Sequence, residues 1–241
     1  MAYAAQTAVF AALTFFATPI LADDFPSVPD HVTSPFQLEL LDNPSLGFGD
    51  AGSARKIPPL ALDLIKDFER WMPDAYNDSS NYCTIGYGHL IDRQPCAKVT
   101  EKVAAFKPPL SVEEGLKMLD DDTSKARIAV SKLVQARLTD EQFGAVVSFV
   151  FNVGASDKGF KGSKMRRLLN AEEYNRAALE FPKWVKSKGN VVDGLINRRS
   201  CELDLYKDKL TSPFNRRDCA PLGASPPSEE LINIETGTPD K

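Results

Sequence analysis

The sequence predicts an α+β fold, a short β-ribbon set among helices. Three observations carry that reading. Leu64, Ile65, Phe68 and Trp71 recur at helical spacing. Residues 74–90 then place turn residues, Asn77 to Asn81, between short aromatic and β-branched stretches, with Gly86 and Gly88 just beyond. From about residue 111 to residue 206, helix-start signals and apolar stripes follow one another.

Residues 1–22 contain no charged side chain, and the apolar run Ala8–Ala17 has the length of a signal-peptide core. Pro19 breaks the run, and Ala22 offers a small residue before Asp23. A cleaved signal is expected, since the run is short for the ~20 apolar residues that span a bilayer. Residues 23–56 are rich in Pro, Asp, Ser and Gly and read as a linker. Residues 57–210 read as the folded domain. The helix over 60–72 is expected to stop at Pro73. Ser111–Glu114 and Thr139–Gln142 are capping boxes that open two longer helices. Shorter helices are expected at 164–169 and 172–184. A last one follows Gly194, with Ile196, Arg199, Ser200, Leu203 and Tyr206 on one stripe. Residues 211–241, acidic and with four prolines between Pro213 and Pro227, read as a disordered tail.

The formal net charge is -4. It divides unevenly: residues 56–210 hold 25 basic and 22 acidic residues (+3), and the flanks hold 4 and 11 (-7). A mildly basic domain suits an anionic polymer. No dense basic patch marks a nucleic-acid binder. Cys83, Cys96, Cys201 and Cys219 form an even set with no zinc spacing, and only two histidines accompany them. In an exported chain they read as up to two disulfides. Of the three connectivities, the pairing of sequence neighbours, Cys83–Cys96 and Cys201–Cys219, is the expected one. Trp71 and Trp184 read as core packing, although either could stack on a sugar. Gly86-Tyr87-Gly88 lacks the lysine and following helix of a phosphate loop.

The chemistry concentrates in one stretch. Glu69 sits beside the apolar stripe of the first helix, where partial desolvation favours the protonated form of a carboxyl. Asp78, nine residues on, opens the polar turn Asp78-Ser79-Ser80-Asn81 and is expected to stay ionised. Thr84, six residues further, offers a hydroxyl on the next strand. A protonated acid and an ionised acid are what glycosidic bond cleavage requires. Glu69→Gln is expected to hold or gain stability, since a desolvated, unpaired acid is costly.

Glu69, Asp78 and Thr84, followed by Ile85-Gly86-Tyr87-Gly88-His89-Leu90, closely resemble the phage-type lysozymes of glycoside hydrolase family 24. Residues 149–154, 159–163 and 194–199 extend the likeness over roughly 57–210. The resemblance implies a lysozyme-like α+β domain, with a small β-hairpin lobe and a larger helical lobe flanking a substrate cleft. It implies hydrolysis of the bond between N-acetylmuramic acid and N-acetylglucosamine in peptidoglycan, without cofactor or metal. Glu69 would be the acid, and Asp78 with Thr84 the water-positioning pair. Leu90, Phe151, Asn152 and Ser163 would fall at sugar-contacting positions, and His89 would pair with Asp122. Near Glu180, where some relatives place a sugar-contacting amide, this chain has an acid followed by Phe181-Pro182. The expected protein is an exported monomer, extracellular or periplasmic, with no stable membrane anchoring after processing. The rival readings are a lytic transglycosylase and a non-catalytic wall-binding module.

Overall fold

The computed structural model describes residues 27–28, 55–222 and 230–238. The expected signal segment lies outside them. Of the expected linker, Ser27–Val28 forms a short strand, β1, and Arg55 donates to the Leu138 carbonyl at 3.1 Å. No helix among the described residues is long and apolar enough to cross a membrane.

The first helix, α1, spans Pro59–Glu69 and starts with a proline in its first turn, where the missing N–H costs nothing. It buries Ala61, Leu64 and Ile65. It ends three residues before the sequence expectation. Arg70 takes a left-handed conformation (φ 59°) and its N–H closes on the Lys66 carbonyl. Pro73 therefore lies inside the next element, β2 (Met72–Asp78), at a register irregularity where the ladder needs no donor. β3 (Cys83–Gly86) and β4 (His89–Asp92) complete an antiparallel ribbon, and β1 adds in parallel with Ser27 opposite Asn77 and Val28 opposite Asp78.

After a short helix, α2 (Thr100–Ala105), come the two capped helices, α3 (Val112–Leu133) and α4 (Asp140–Val153). Both capping boxes form as the sequence indicates. α4 is buried at every position from Phe143 to Val153 and is the axis of the helical lobe. It packs against α1, α3 and the last helix, α7. Between them lie α5 (Lys164–Asn170), α6 (Tyr174–Ala178), and a hairpin of β5 (Lys186–Ser187) and β6 (Asn190–Val191) that sequence reading missed. The expected helix over 172–184 is thus only five residues long; Pro182 sits in a separate 3-10 turn. α7 spans Asp193–Tyr206.

Two hydrophobic clusters result. The larger fills the helical lobe and includes Trp184, which meets Phe149 edge-on at 5.4 Å. Such aromatic pairs add roughly 0.5–1.5 kcal/mol beyond their burial. The smaller underlies the ribbon, around Ala75, Ile85, Ile91, Val103 and Leu110. Trp71 packs against both. Its ring lies on Gly115, where an added Cβ would fall 2.1 Å from the indole, so only glycine admits it.

Both expected disulfides are formed, Cys83–Cys96 with Cα atoms 4.6 Å apart and Cys201–Cys219 with 4.9 Å. The expectation of a disordered tail fails for the parts described. Residues 211–222 run back over α1, where Arg216 bonds the Asp67 carboxylate at 2.6 Å. Residues 230–238 bury Leu231 and Ile234 in the main cluster, and Asn233 bridges to Lys186. The acidic, proline-rich composition hid this short apolar anchor.

Candidate active site

α1 ends by turning Glu69 inward, and the ribbon carries Asp78 and Thr84 toward it. Glu69 is 7% exposed and meets Arg198 of α7, whose Nη1 donates to Oε1 at 2.5 Å. Arg198 is itself buried, and its Nε donates to Glu202 Oε1 at 3.1 Å. Glu202 also accepts from the Ser148 hydroxyl at 2.8 Å, and its other oxygen lies 3.0 Å from Arg199 Nε. Burial opposes the Arg198 charge, but Glu69 and Glu202 outweigh it and push its pKa up. Arg199, more poorly compensated, is pushed down to about 10 by burial, with Glu202 opposing. Two arginines and two glutamates thus balance inside the helical lobe. The sequence expectation of an unpaired Glu69 is corrected: the acid has a buried cationic partner. The Arg198-Arg199 pair with Glu202 was the available signal, but helical charges usually read as solvated.

Asp78 closes β2. Its Oδ1 accepts from the backbone N–H of Ser80 and of Tyr82, both at 2.8 Å, an Asx turn that fixes the carboxylate. Thr84 lies opposite Tyr76 on β3, and its hydroxyl donates to the Tyr82 carbonyl at 3.3 Å. Tyr82 therefore holds both: its N–H orients Asp78 and its C=O orients Thr84.

The Tyr76 phenol feels the charge of both acids. It is buried, which raises its pKa far above the usual value, and the negative charges of Glu69 and then Asp78 raise it further. Both carboxylates therefore act on one phenol, although they come from different elements. Glu69, Asp78 and Thr84 are 7%, 2% and 0% exposed.

The other expected residues are placed differently. Leu90 is buried opposite Thr84 in the ribbon ladder. Phe151 is wholly buried, because α4 has no solvent-facing side over that stretch. Asn152 accepts from Arg199 at 2.7 Å. Ser163 caps α5 by accepting from the Arg166 N–H at 3.1 Å and donates to the Phe160 carbonyl at 2.7 Å. All four have internal packing or hydrogen-bonding roles in the structure. Glu180 is a buried acid between Lys183 at 3.2 Å and Lys164 at 3.5 Å. His89 Nδ1 lies 2.9 Å from Asp122 Oδ2 and ties β4 to α3. Burial disfavours the imidazolium, but the Asp122 charge and hydrogen bond prevail, and the pKa is raised. Among the described residues no group of three or more His, Cys, Asp or Glu is arranged to hold a metal ion.

The family model described as phage lysozyme matches residues 66–202, which include every residue of this site. The chain belongs to the phage lysozyme family. It is 38% identical over 168 residues to an endolysin of Bacillus phage B103, covering 68% of this chain and 59% of that protein. It is 35% identical over 132 residues to an endolysin of Salmonella phage P22, covering 55% and 84%. Among solved structures, the endolysin from Escherichia coli O157:H7 phage FAHEc1 matches with a TM-score of 0.55 at 30% identity, over 65% of this chain and 96% of that one. The muramidase domain of SpmX from Asticaccaulis excentricus matches at 0.53 and 30%, over 63% and 97%. The chain spans 59% and 58% of the length of the endolysins of Bacillus phages B103 and PZA. The lysozyme-like fold read from the sequence is therefore the fold of this chain. The proteins that it matches include ones named endolysins and a muramidase domain.

Proposed function

We propose that this protein is an exported muramidase. It hydrolyses the β-1,4 bond between N-acetylmuramic acid and N-acetylglucosamine in peptidoglycan, with inversion at the anomeric carbon. The observation that carries the reading is a pair of buried acids from separate elements, one bonded to Arg198 and one fixed by backbone amides. Glu69 gives its proton to the glycosidic oxygen as the bond from that oxygen to the anomeric carbon breaks. Arg198 stabilises the carboxylate left behind. Asp78 takes a proton from a water whose oxygen attacks the anomeric carbon from the opposite face, and Thr84 helps to hold that water. The separation expected of the two carboxyls in this mechanism is about 6.5–9.5 Å, which leaves room for the water. No cofactor or metal takes part, and the substrate is the polysaccharide and not a nucleic acid.

Export rests on residues 1–22, with the mature chain beginning at Asp23 and acting as a monomer outside the cytoplasm without a lasting membrane anchor. The test is turbidity clearing of purified peptidoglycan by the mature chain, with masses of the released sugars. Products carrying one added water support hydrolysis. Products lacking that water indicate the transglycosylase, and binding without clearing indicates the non-catalytic module. N-terminal sequencing that finds Met1 in the mature protein contradicts export by cleavage.

A further inference from the structure

Residues 230–238 lie beyond the family-matched segment, yet they are built into the edge of the site. The Ile232 N–H bonds the Lys183 carbonyl at 2.6 Å, and the Ile234 N–H bonds the Lys186 carbonyl at 3.0 Å. Asn233 bridges to Lys186 in parallel. Gly237 closes the segment against the loop after α4: a Cβ there would fall 1.8 Å from the Lys158 carbonyl oxygen, and its φ is +69°. The segment is thus anchored on two sides. From between the anchors, Glu235 reaches the β5–β6 turn. Its Oε1 accepts from the Ser187 hydroxyl at 2.6 Å, and its Oε2 accepts from the Lys188 N–H at 3.1 Å.

That turn has only Lys188 and Gly189 at its tip, both at positive φ (50° and 80°), as a two-residue hairpin turn requires. Lys188 pays the steric cost of a left-handed non-glycine residue, and Glu235 holds its N–H in place. From there Lys188 Nζ donates to Ser80 Oγ at 3.1 Å, a bond between residues 108 apart in sequence that joins the helical lobe to the ribbon. Ser80 is the residue whose own N–H donates to Asp78 Oδ1. A continuous path therefore runs from the C-terminal segment through Glu235, Lys188 and Ser80 to the second acid.

We propose that Lys188 and Glu235 are positioning residues for Asp78, and that residues 230–238 belong functionally to the active site. The inference rests on the muramidase reading for its kinetic consequence, but its geometric content is independent of activity. Neither residue touches the reacting atoms. They hold the Asp78 turn in the orientation that aims its carboxylate at the water.

The test compares Lys188→Met, Lys188→Arg, Glu235→Gln, the Met/Gln double variant and Gly237→Ala with the wild-type full chain on solubilised peptidoglycan strands. It also measures amide hydrogen exchange at Ser80 and Tyr82. Lys188→Met is expected to lower kcat by about 3- to 10-fold, the scale of one lost hydrogen bond, with KM little changed. Lys188→Arg restores most of the loss. The double variant is no worse than Lys188→Met, because the two act along one path. Gly237→Ala, which unseats the segment far from Asp78, lowers kcat in the same way. Exchange at Ser80 and Tyr82 quickens in each impaired variant. Unchanged exchange overturns the proposal whether or not the chain proves to be a muramidase. With an active wild type, an unchanged kcat, a KM change alone, or a double variant losing the product of the single effects also overturns it. An inactive wild type with quickened exchange overturns the muramidase reading and leaves the positioning of Asp78 standing.

Discussion

Arg198 is the single group whose removal should most disturb the interior. Arg198→Met keeps an unbranched stem and takes away the guanidinium, which lies 5.7 Å from the centre of the Phe68 ring. Glu202 then retains the Ser148 hydroxyl at 2.8 Å and Arg199 at 3.0 Å, so its loss is partial. Glu69 loses its 2.5 Å partner in a site where it is only 7% exposed. Removing one member of a buried ion pair costs about 3–5 kcal/mol, because the other charge is left uncompensated. For a domain of this size, each kcal/mol moves Tm by about 2–4 °C, so a fall of roughly 6–20 °C is expected. Adding Glu69→Gln to Arg198→Met should recover part of the deficit. A thermal-unfolding double-mutant cycle should therefore show a coupling of about 0.5–3 kcal/mol between the two positions. A fall below about 3 °C, or additive effects of the two changes, would refute the claim that this pair is a buried, mutually compensating unit.

Replacing Cys83 and Cys96 together by serine should cost about 3 kcal/mol in thermal unfolding, the value for a closed loop of this length, and should impair activity because Cys83 adjoins Thr84. Equal stability with and without the bridge would contradict this. His89 should titrate above its ordinary value of 6.5 by NMR, since Asp122 outweighs burial. Its stabilising contribution is full below the unfolded pKa and is lost as pH rises through the folded one; a lowered His89 pKa would oppose this. Gly115→Ala should destabilise by about 1–3 kcal/mol, because the new methyl overlaps the Trp71 ring that both lobes share. A neutral result by chemical unfolding would mean that the indole is free to move.

The sequence made the helices of residues 111–153 legible because their starts carry reciprocal caps, Ser111 with Glu114 and Thr139 with Gln142, and their apolar residues recur at helical spacing. The catalytic candidates were legible because Glu69, Asp78 and Thr84 keep a fixed spacing on a helix end and a ribbon. The support behind them was not. Arg198, Arg199 and Glu202 look like solvated helix charges, since hydropathy cannot show that they balance with Glu69, from a different helix, inside the protein. The Lys188-Gly189 turn joins strands of two residues each, too short for any alternation to register. Residues 230–238 were read by composition, which averages over the few apolar side chains, Leu231 and Ile234, that anchor them. The burial of Phe151 and Asn152 was hidden for a related reason: α4 is covered on all sides from Phe143 to Val153, so no polar face marks its orientation.

The most direct test of the central claim is the lytic rate of Glu69→Gln, measured by turbidity on purified peptidoglycan with folding checked by circular dichroism. Glutamine keeps the size of the side chain and can still accept from Arg198, but it has no acidic proton to give. If Glu69 is the proton donor, the folded variant should lose about 10²- to 10⁴-fold in rate, the worth of general acid catalysis. A folded Glu69→Gln protein that clears peptidoglycan at close to the wild-type rate would contradict the assignment.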